Sequence, residues 1–266
     1  MDLLTLGRPD GEREAVRVRH ELRRRVLEVL RVEDVTPRIR RVVLGGDGLE
    51  ADFPFPRLAA SDHVKVVLPD EATGELAVPD GPVRGLSGVA VRDYTVRRFD
   101  AVSRELGLDF VVHQHGPAGR WAAKAKPGDR LGVWGPRGSR CHPAGYARYL
   151  LLGDETALPA LGRWLEDLPV GAEVTALVAT EDPEDAAYLD HPAVRWVAPG
   201  DLEQAVRALP APDGDTYVWG AGEAGSLVPV RRYLRRELRL PKHQADVDGY
   251  WKRGEANFDH HAPQEE

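Results

Sequence analysis

The chain has 266 residues, enough for one large domain or two of ordinary size. Its 36 basic and 43 acidic residues give a net charge of −7, which argues against a general nucleic-acid-binding protein because such proteins are usually basic. Cys141 is the single cysteine, so neither an internal disulfide nor a cysteine-ligated metal cluster can form within one chain.

The N-terminal sequence lacks the long apolar core of a signal peptide, and no apolar stretch approaches the roughly 18 residues of a transmembrane helix. We therefore expect a cytoplasmic protein that does not insert into a membrane. Residues 1–20 are polar and are predicted to form a mobile segment. The arginines that crowd the sequence from Arg17 to Arg41 are typical of a solvated face.

Between residues 24 and 135, short apolar runs alternate with turns rich in Gly, Pro and Asp. Many strands without a helical period between them indicate an antiparallel barrel or a sandwich. The predicted strands are RVLEVLRVEDV (25–35), RRVVLGG (40–46), HVKVVLP (63–69), RDYTVRRF (92–99), LDFVVHQH (108–115) and DRLGVWGP (129–136).

The strand RDYTVRRF combines a cation with an aromatic ring. Alternation places Arg92 and Tyr94 on one face and Thr95 on the other, unless the strand ends or twists there. This combination suits a ligand with an anionic group and a flat ring, and it is also a common surface pairing.

The stretch HQHGPAGRWAAKAKPGD (113–129) follows another predicted strand. Small residues at Gly116, Ala118 and Gly119 expose backbone N–H groups, which can bind a diphosphate. Trp121, which follows them, is more typical of a core residue than of a residue that stacks on a ligand.

Two histidines and a second glycine-rich loop complete this region. His113 and His115 share one face of a strand, but two ligands are too few for a metal site, so hydrogen bonding is the favoured role. The loop GPRGS (135–139) has Arg137 at its centre.

After Pro143 predicted strands alternate with predicted helices, which indicates a parallel sheet covered on both faces, with a domain boundary near 143–148. The terminal segment 241–261 has no clear period but carries several aromatic residues, so we expect it to dock on another part of the protein. The predicted strands are RYLLLG (148–153), AEVTALVA (172–179), VRWVA (194–198) and DTYVWG (215–220), and the predicted helices are TALPALGRWLEDL (156–168), PEDAAYL (183–189), DLEQAVRALP (201–210) and SLVPVRRYLRREL (226–238).

Ligands of parallel sheets bind at the carboxyl ends of the strands. After the first parallel strand, Asp154 or Thr156 can cap the following helix, and Pro159 is tolerated only in its first turn. A simple helix cap explains Asp154 fully, while the Thr156 hydroxyl could also point at a ligand.

After the last predicted strand, GAGEAG (220–225) matches G-x-G-x-x-G. The match is weak because no strand clearly follows the next helix. A glycine turn would nevertheless let backbone amides approach a cofactor, with Glu223 near the ligand.

Seven motifs occur in a specific order: R-x-Y-T, H-G-P-A-G-x-W-A, P-G-D, G-P-R-G-S, G-D-E-T-A-L-P-A, W-G-A-G-E and G-Y-W-K-R-G. Over residues 20–256, this order resembles the siderophore-interacting proteins, which are ferric-siderophore reductases among the ferredoxin–NADP reductase-like flavoenzymes. The resemblance implies a Greek-key antiparallel β-barrel that binds FAD (21–145), a parallel-sheet α/β domain that binds NAD(P)H (146–240) and a C-terminal tail (241–266).

The resemblance also implies roles for individual residues. Arg92 would pair with the FAD diphosphate, Tyr94 would pack on the isoalloxazine ring and Thr95 would hydrogen-bond a ring edge. The remaining implied contacts are His113, His115, Gly116, Ala118, Gly119 and Trp121 at the FAD strand and diphosphate loop, Asp154 and Thr156 near the flavin, Trp219, Gly220, Ala221, Gly222 and Glu223 at the nicotinamide nucleotide, and Lys65, Arg137, Lys252 and Arg253 at an anionic iron chelate.

The implied activity is electron transfer from NADPH or NADH through FAD to a ferric siderophore, in a monomer with no catalytic side chain and no resident metal. Glu181 and Asp182 after the second parallel strand favour NADH, whereas the family more often suggests NADPH, and ferredoxin is an alternative donor. The competing interpretations are a general ferredoxin or flavodoxin–NADP reductase-like flavoprotein and a non-enzymatic protein that binds an iron chelate.

Overall fold

A computed structural model of the protein describes residues 13–77, 89–113, 116–255 and 258. These residues form two compact units. The first contains Arg17–Cys141, and the second contains the residues from His142 onward together with a short N-terminal stretch that ends at Val16. Within the described ranges, none of the helices combines the length and the apolar character that a membrane crossing requires.

The first unit contains a closed six-stranded barrel in which all neighbouring strands are antiparallel, so the predicted antiparallel barrel is confirmed. Its strands are β2 (Arg24–Thr36), β3 (Ile39–Gly45), β4 (His63–Val67), β5 (Val91–Asp100), β6 (Glu105–Val111) and β7 (Arg130–Trp134). They close in the order β2-β3-β6-β5-β4-β7, and the pairs of strands that are not consecutive in sequence give a Greek-key connectivity.

Alternating side chains explain why these segments form a barrel. In β2, Leu27 and Val29 have no exposed surface, whereas the intervening Glu28 is exposed. Alternate residues of the other strands, including Phe110 of β6, belong to the same apolar core. Burial of this apolar area is the main driving force for closing the sheet.

Three elements of the first unit differ from the predictions. The helix α1 (Pro117–Lys124) occupies the stretch predicted as a loop of small residues. The strand predicted to continue to residue 115 ends at Val111. A short two-stranded sheet pairs β1 (Val16–Arg19) with β8 (Gly138–Cys141), so residues 16–19 of the predicted mobile segment form a strand.

The second unit contains a five-stranded parallel sheet, which confirms the predicted α/β architecture. Its strands are β9 (Arg148–Asp154), β10 (Glu173–Ala179), β11 (Val194–Val197), β12 (Thr216–Glu223) and β13 (Ala245–Trp251), in the spatial order β11-β10-β9-β12-β13. The helical segments are a 3₁₀ turn (Glu155–Ala157), α2 (Leu158–Asp167), a 3₁₀ turn (Pro183–Tyr188), α3 (Leu202–Arg207), α4 (Ala224–Arg232), a π-helical turn (Tyr233–Glu237) and a 3₁₀ turn (Lys242–Gln244).

The two faces of this sheet carry different side chains. On one face, Tyr149 and Trp219 pack around Trp164 of α2, with ring centroids 5.8 and 6.0 Å from the Trp164 ring. On the other face, Leu150 and Val218 belong to an aliphatic cluster with residues of α3 and α4. A sheet buried on both faces needs apolar residues at consecutive positions, which the run RYLLLG provides.

The strand β13 was missed by sequence reasoning, which treated 241–266 as a tail. β13 pairs in parallel with β12, from Val218 opposite Ala245 to Glu223 opposite Trp251. Its sequence alternates apolar and polar residues without a long β-branched run, so its pairing depends on the neighbouring strand more than on local propensity.

Candidate functional site

The strand β5 carries the Arg92, Tyr94 and Thr95 positions. Tyr94 lies opposite the core residue Val64 of β4, and Thr95 lies opposite His63, so Tyr94 and Thr95 point to different faces. The Tyr94 ring contacts the Phe110 ring at a centroid distance of 4.1 Å. Burial raises the pKa of the Tyr94 phenol above its usual range, against an opposing effect of Arg92, so the hydroxyl keeps its proton at neutral pH.

The ladder between β5 and β6 begins at Val96, opposite Leu108. The preceding residues Tyr94 and Thr95 pair with β4, and within the described residues the ladder to β6 does not extend to them. Unpaired backbone groups at the edge of a strand can hydrogen-bond a planar ligand. This arrangement allows one flat ring to meet the Tyr94 side chain and the Thr95 backbone together, although their side chains diverge.

The N-terminus of α1 lies close to the end of β6. Gly116 is the N-cap and supplies no side chain to the first-turn N–H groups, and no acidic residue lies in that turn. A Cβ on Gly116 would lie 2.8 Å from the His113 ring, and one on Gly119 would lie 2.7 Å from the His113 carbonyl oxygen. Glycine therefore lets the start of the helix approach the His113 backbone, and the first-turn N–H groups of α1 are of the kind that can bind an anion.

A chain of ring contacts connects β5 to α1. Phe110 contacts Tyr94 on one side and Trp121 of α1 on the other, at 4.1 and 5.7 Å between ring centroids. Trp121 is partly buried against the barrel core and Ala118 is buried. Of the positions predicted here, His115 lies outside the described residues.

These groups fit FAD chemically. A diphosphate matches the amides at the start of α1 and the guanidinium of Arg92, and an isoalloxazine matches a protonated phenol beside unpaired strand backbone. The Arg92 guanidinium donates to the Val91 carbonyl oxygen at 2.7 Å. These residue roles remain predictions.

In the second unit, Asp154 collects hydrogen bonds at the carboxyl ends of β9 and β12. Its Oδ1 accepts from the Thr156 backbone N–H at 2.9 Å and from the Thr156 hydroxyl at 2.5 Å. Its Oδ2 accepts from the Glu223 backbone N–H at 2.7 Å and from Trp251 Nε1 at 2.8 Å. The predicted cap is confirmed, and Asp154 also holds the end of β13 through Trp251.

Glu223 continues this network. Its carboxylate accepts from the Ser226 backbone N–H at 2.6 Å, which caps α4, and from the Arg253 backbone N–H at 3.1 Å. Burial acts to raise the pKa of Glu223, but the hydrogen bonds from Arg253 and Ser226 outweigh it and lower the pKa. The Glu223 side chain thus fixes the turn after β13.

The segment GAGEAG (220–225) was predicted to form a glycine turn after the strand, which is wrong for residues 220–223, because β12 continues through Glu223. Pairing to β9 and β13 on both sides extends the strand. Gly222 has a φ of +151°, and a Cβ there would lie 2.8 Å from Asp154 Cγ. The glycine therefore allows Asp154 to reach the β12 backbone.

The other predicted nucleotide contacts in β12 are buried. Trp219 is 2% exposed and packs against Trp164 and His142, and Ala221 has no exposed surface. Gly220 is also buried. These placements leave little side-chain surface for a ligand, and the roles of these residues remain predictions.

The four predicted chelate-binding cations differ in their partners. Lys65 Nζ lies 2.8 and 2.9 Å from the two carboxylate oxygens of Asp93. Lys252 Nζ lies 3.2 Å from Glu255. Within the described ranges, the side chains of the exposed Arg137 and Arg253 form no ion pair.

Sequence reasoning missed two residues of these sites. Trp251 was noted only as part of an aromatic tail, and Asp93 was passed over between Arg92 and Tyr94. The sequence did offer a signal for Asp93, because an acidic residue stands in the predicted strand directly after Arg92, a predicted ligand-binding cation. Its partner could not be identified without the register between β4 and β5.

The family models and the solved structures that match this chain point to the same family. Residues 28–140 match the model of the siderophore-interacting FAD-binding domain, and residues 146–254 match the model of the siderophore-interacting protein. A solved structure of a siderophore utilization protein from T. fusca is 43% identical, with a TM-score of 0.85, and the match covers 94% of this chain and all of that chain.

Two of the curated relatives are named as ferric reductases. The chain is 37% identical over 254 residues to the NADPH-dependent ferric-chelate reductase of Escherichia coli K12, covering 88% of this chain and 95% of that protein. It is 34% identical over 255 residues to the ferric vibriobactin reductase of Vibrio cholerae, covering 89% and 92%. The chain therefore belongs to the siderophore-interacting protein family, and its barrel is the FAD-binding domain of that family.

Proposed function

We propose that this protein is an FAD-dependent reductase that uses NAD(P)H to reduce the Fe(III) of a siderophore and so releases the iron as Fe(II). The observation that carries the proposal is the contact chain Tyr94–Phe110–Trp121, which connects the ring-binding strand β5 to the anion-binding start of α1. One barrel thus offers matching surfaces for the ring and the diphosphate of one dinucleotide. We assign FAD to the first unit and the nicotinamide nucleotide to the second.

Within the barrel, each group has a defined task. The amides at the start of α1 and the Arg92 guanidinium hold the diphosphate, while the protonated Tyr94 phenol and the backbone at Thr95 hold the ring. When bound, FAD supplies two-electron chemistry toward NAD(P)H and one-electron chemistry toward Fe(III). The protein chiefly orients the reacting groups and is assigned no acid–base step.

The substrate is an anionic chelate. Siderophore oxygen ligands bind Fe(III) more tightly than Fe(II), because hard oxygen donors favour the smaller and more highly charged ion. Cationic side chains retain such a chelate despite the net charge of −7. We assign this role to Lys65 and Arg137 of the barrel, and the corresponding roles of Lys252 and Arg253 stay predictions.

The test is anaerobic reduction of ferric chelates by the FAD-loaded protein, with a ferrous-specific chromogenic chelator as the trap. We expect Fe(II) to appear with NADPH or NADH, and stopped-flow reduction of the bound flavin by each donor identifies the preferred one. A protein that binds the ferric chelate but no FAD contradicts the proposal and supports a binding protein. A flavoprotein that is reduced by NAD(P)H but not oxidised by any ferric chelate supports a general electron-transfer flavoprotein.

Replacing Lys65 with alanine is expected to raise KM for an anionic ferric chelate about five- to tenfold, because one cation is lost from an exposed site. Steady-state assays with a ferric tris-catecholate measure this change, and stopped-flow assays measure the NAD(P)H half-reaction separately. Unchanged chelate kinetics contradict the assignment of Lys65.

We further propose that the protein acts as a cytoplasmic monomer and that ferredoxin can replace the nicotinamide donor. The single cysteine, Cys141, fits a reducing compartment. Size-exclusion chromatography with light scattering tests the monomer, and anaerobic mixing with reduced ferredoxin tests the alternative donor.

A further inference from the structure

Lys65, which the proposed function assigns to the chelate, already has an anionic partner. Lys65 on β4 lies directly opposite Asp93 on β5, and its ammonium group donates to both oxygens of the Asp93 carboxylate, at 2.8 and 2.9 Å. On the other side of β4, Lys65 lies opposite Trp134 of β7, which is uncharged and buried. An anion that binds Lys65 must therefore compete with Asp93.

The pair is accessible to a ligand. The side chains of Lys65 and Asp93 are 37% and 29% exposed. Exposed ion pairs contribute little to stability because water solvates both partners. A chelate with several negative charges can therefore displace Asp93 from Lys65.

Arg137 provides a contrast within the same unit. It is exposed, and its side chain forms no ion pair within the described part of the chain. Among the described residues, a chelate reaching Arg137 displaces no ion-pair partner, whereas one reaching Lys65 displaces a carboxylate. The two cations therefore respond differently to the charge of the ligand.

We propose that Asp93 is a specificity-determining residue whose carboxylate competes with anionic ferric chelates for Lys65 and so reduces the preference of the enzyme for highly anionic chelates over neutral ones. This inference rests on the proposed function, because it takes Lys65 as a chelate-binding residue. Asp93 influences binding through Lys65 and takes no part in electron transfer.

The test is Asp93→Asn, which removes the charge and keeps the shape. We expect KM for a ferric tris-catecholate, a trianion, to fall about three- to tenfold, and KM for a neutral ferric trihydroxamate to change less than about twofold. Rates are expressed per bound flavin. An unchanged or raised KM for the trianion overturns the inference, since a raised value means that Asp93 merely positions Lys65. An equal fall for both chelates also overturns it.

A binding measurement separates this inference from the proposed activity. The Ga(III) tris-catecholate has the same charge and shape but is not reduced, so its Kd can be measured by calorimetry without turnover. We expect Asp93→Asn to tighten this Kd by the same factor, and an unchanged Kd overturns the inference. If the wild type reduces no ferric chelate, the proposed function fails while the Ga(III) comparison still decides the role of Asp93.

Two further variants test whether the effect is local. Asp129→Asn removes the same charge from another lysine–aspartate pair of the barrel, in which Lys126 Nζ lies 2.7 Å from Asp129. Asp129 lies just before the first residue of β7, and Trp134, which lies opposite Lys65, is the last residue of that strand. Asp129 is therefore about 17 Å along the strand from Trp134 and so from the Lys65 position. We expect Asp129→Asn to leave both KM values within about twofold.

The second variant tests whether Asp93 acts through Lys65. In a Lys65→Met background, Asp93→Asn should lower KM for the trianion less than about twofold, and a fall as large as in the wild-type background overturns the inference that Asp93 competes for Lys65.

Discussion

Replacing Gly119 with alanine is expected to weaken FAD binding at least about tenfold and to lower the free energy of unfolding of the barrel by about 2 kcal/mol. A Cβ at this position would lie 2.7 Å from the His113 carbonyl oxygen, 2.9 Å from the His113 nitrogen and 3.1 Å from the Val111 carbonyl oxygen. All three atoms belong to the backbone, which cannot move aside as a flexible side chain can. The start of α1 must shift, and its amides move away from the diphosphate.

Titration of the apoprotein with FAD, followed by quenching of flavin fluorescence, measures the first effect, and urea unfolding measures the second. Gly107→Ala is the matched control, because its nearest neighbour would be the Arg98 Cβ at 3.4 Å, an ordinary contact. If Gly119→Ala binds FAD as tightly as Gly107→Ala does, the placement of the diphosphate at α1 is wrong.

Replacing Asp154 with asparagine is expected to lower the free energy of unfolding of the second unit by about 3 kcal/mol and to slow reduction of the bound flavin by NAD(P)H. The carboxylate accepts four hydrogen bonds, two at each oxygen, from Thr156, Glu223 and Trp251. An asparagine amide group can replace one oxygen only by placing its own N–H groups against two donors. The contact that holds the end of β13 or the start of α2 is then lost.

Asp182→Asn is the matched control for stability. Asp182 caps the turn after the neighbouring strand β10, and within the described residues its carboxylate accepts one hydrogen bond, from the Glu184 backbone N–H at 2.9 Å. Its loss should cost about 1 kcal/mol or less. Similar losses in the two variants, measured by urea unfolding, mean that Asp154 is only a helix cap.

Local patterns were sufficient for much of the fold. The short apolar runs between turn residues identified the barrel strands such as β2, and the continuous apolar run of β9 identified a strand of a sheet covered on both faces. Pro159 and Asp154 located the start of the helical segment after β9, because proline is tolerated only in the first turn and aspartate favours the cap. These signals operate within a few residues, so they can be read before the fold is known.

Local patterns were not sufficient where the partner of a residue lies far away in the chain. Trp251 lies 97 residues from the Asp154 carboxylate that it binds, and Lys65 lies 28 residues from Asp93. β12 extended through the predicted glycine turn because β13, which has a weak strand signal, pairs along its edge. Composition, motif order and hydrophobic period therefore determined the two architectures and the candidate ligands of this protein. The tertiary structure alone decided which carboxylates face which donors, because strand register and the packing of distant segments set those distances.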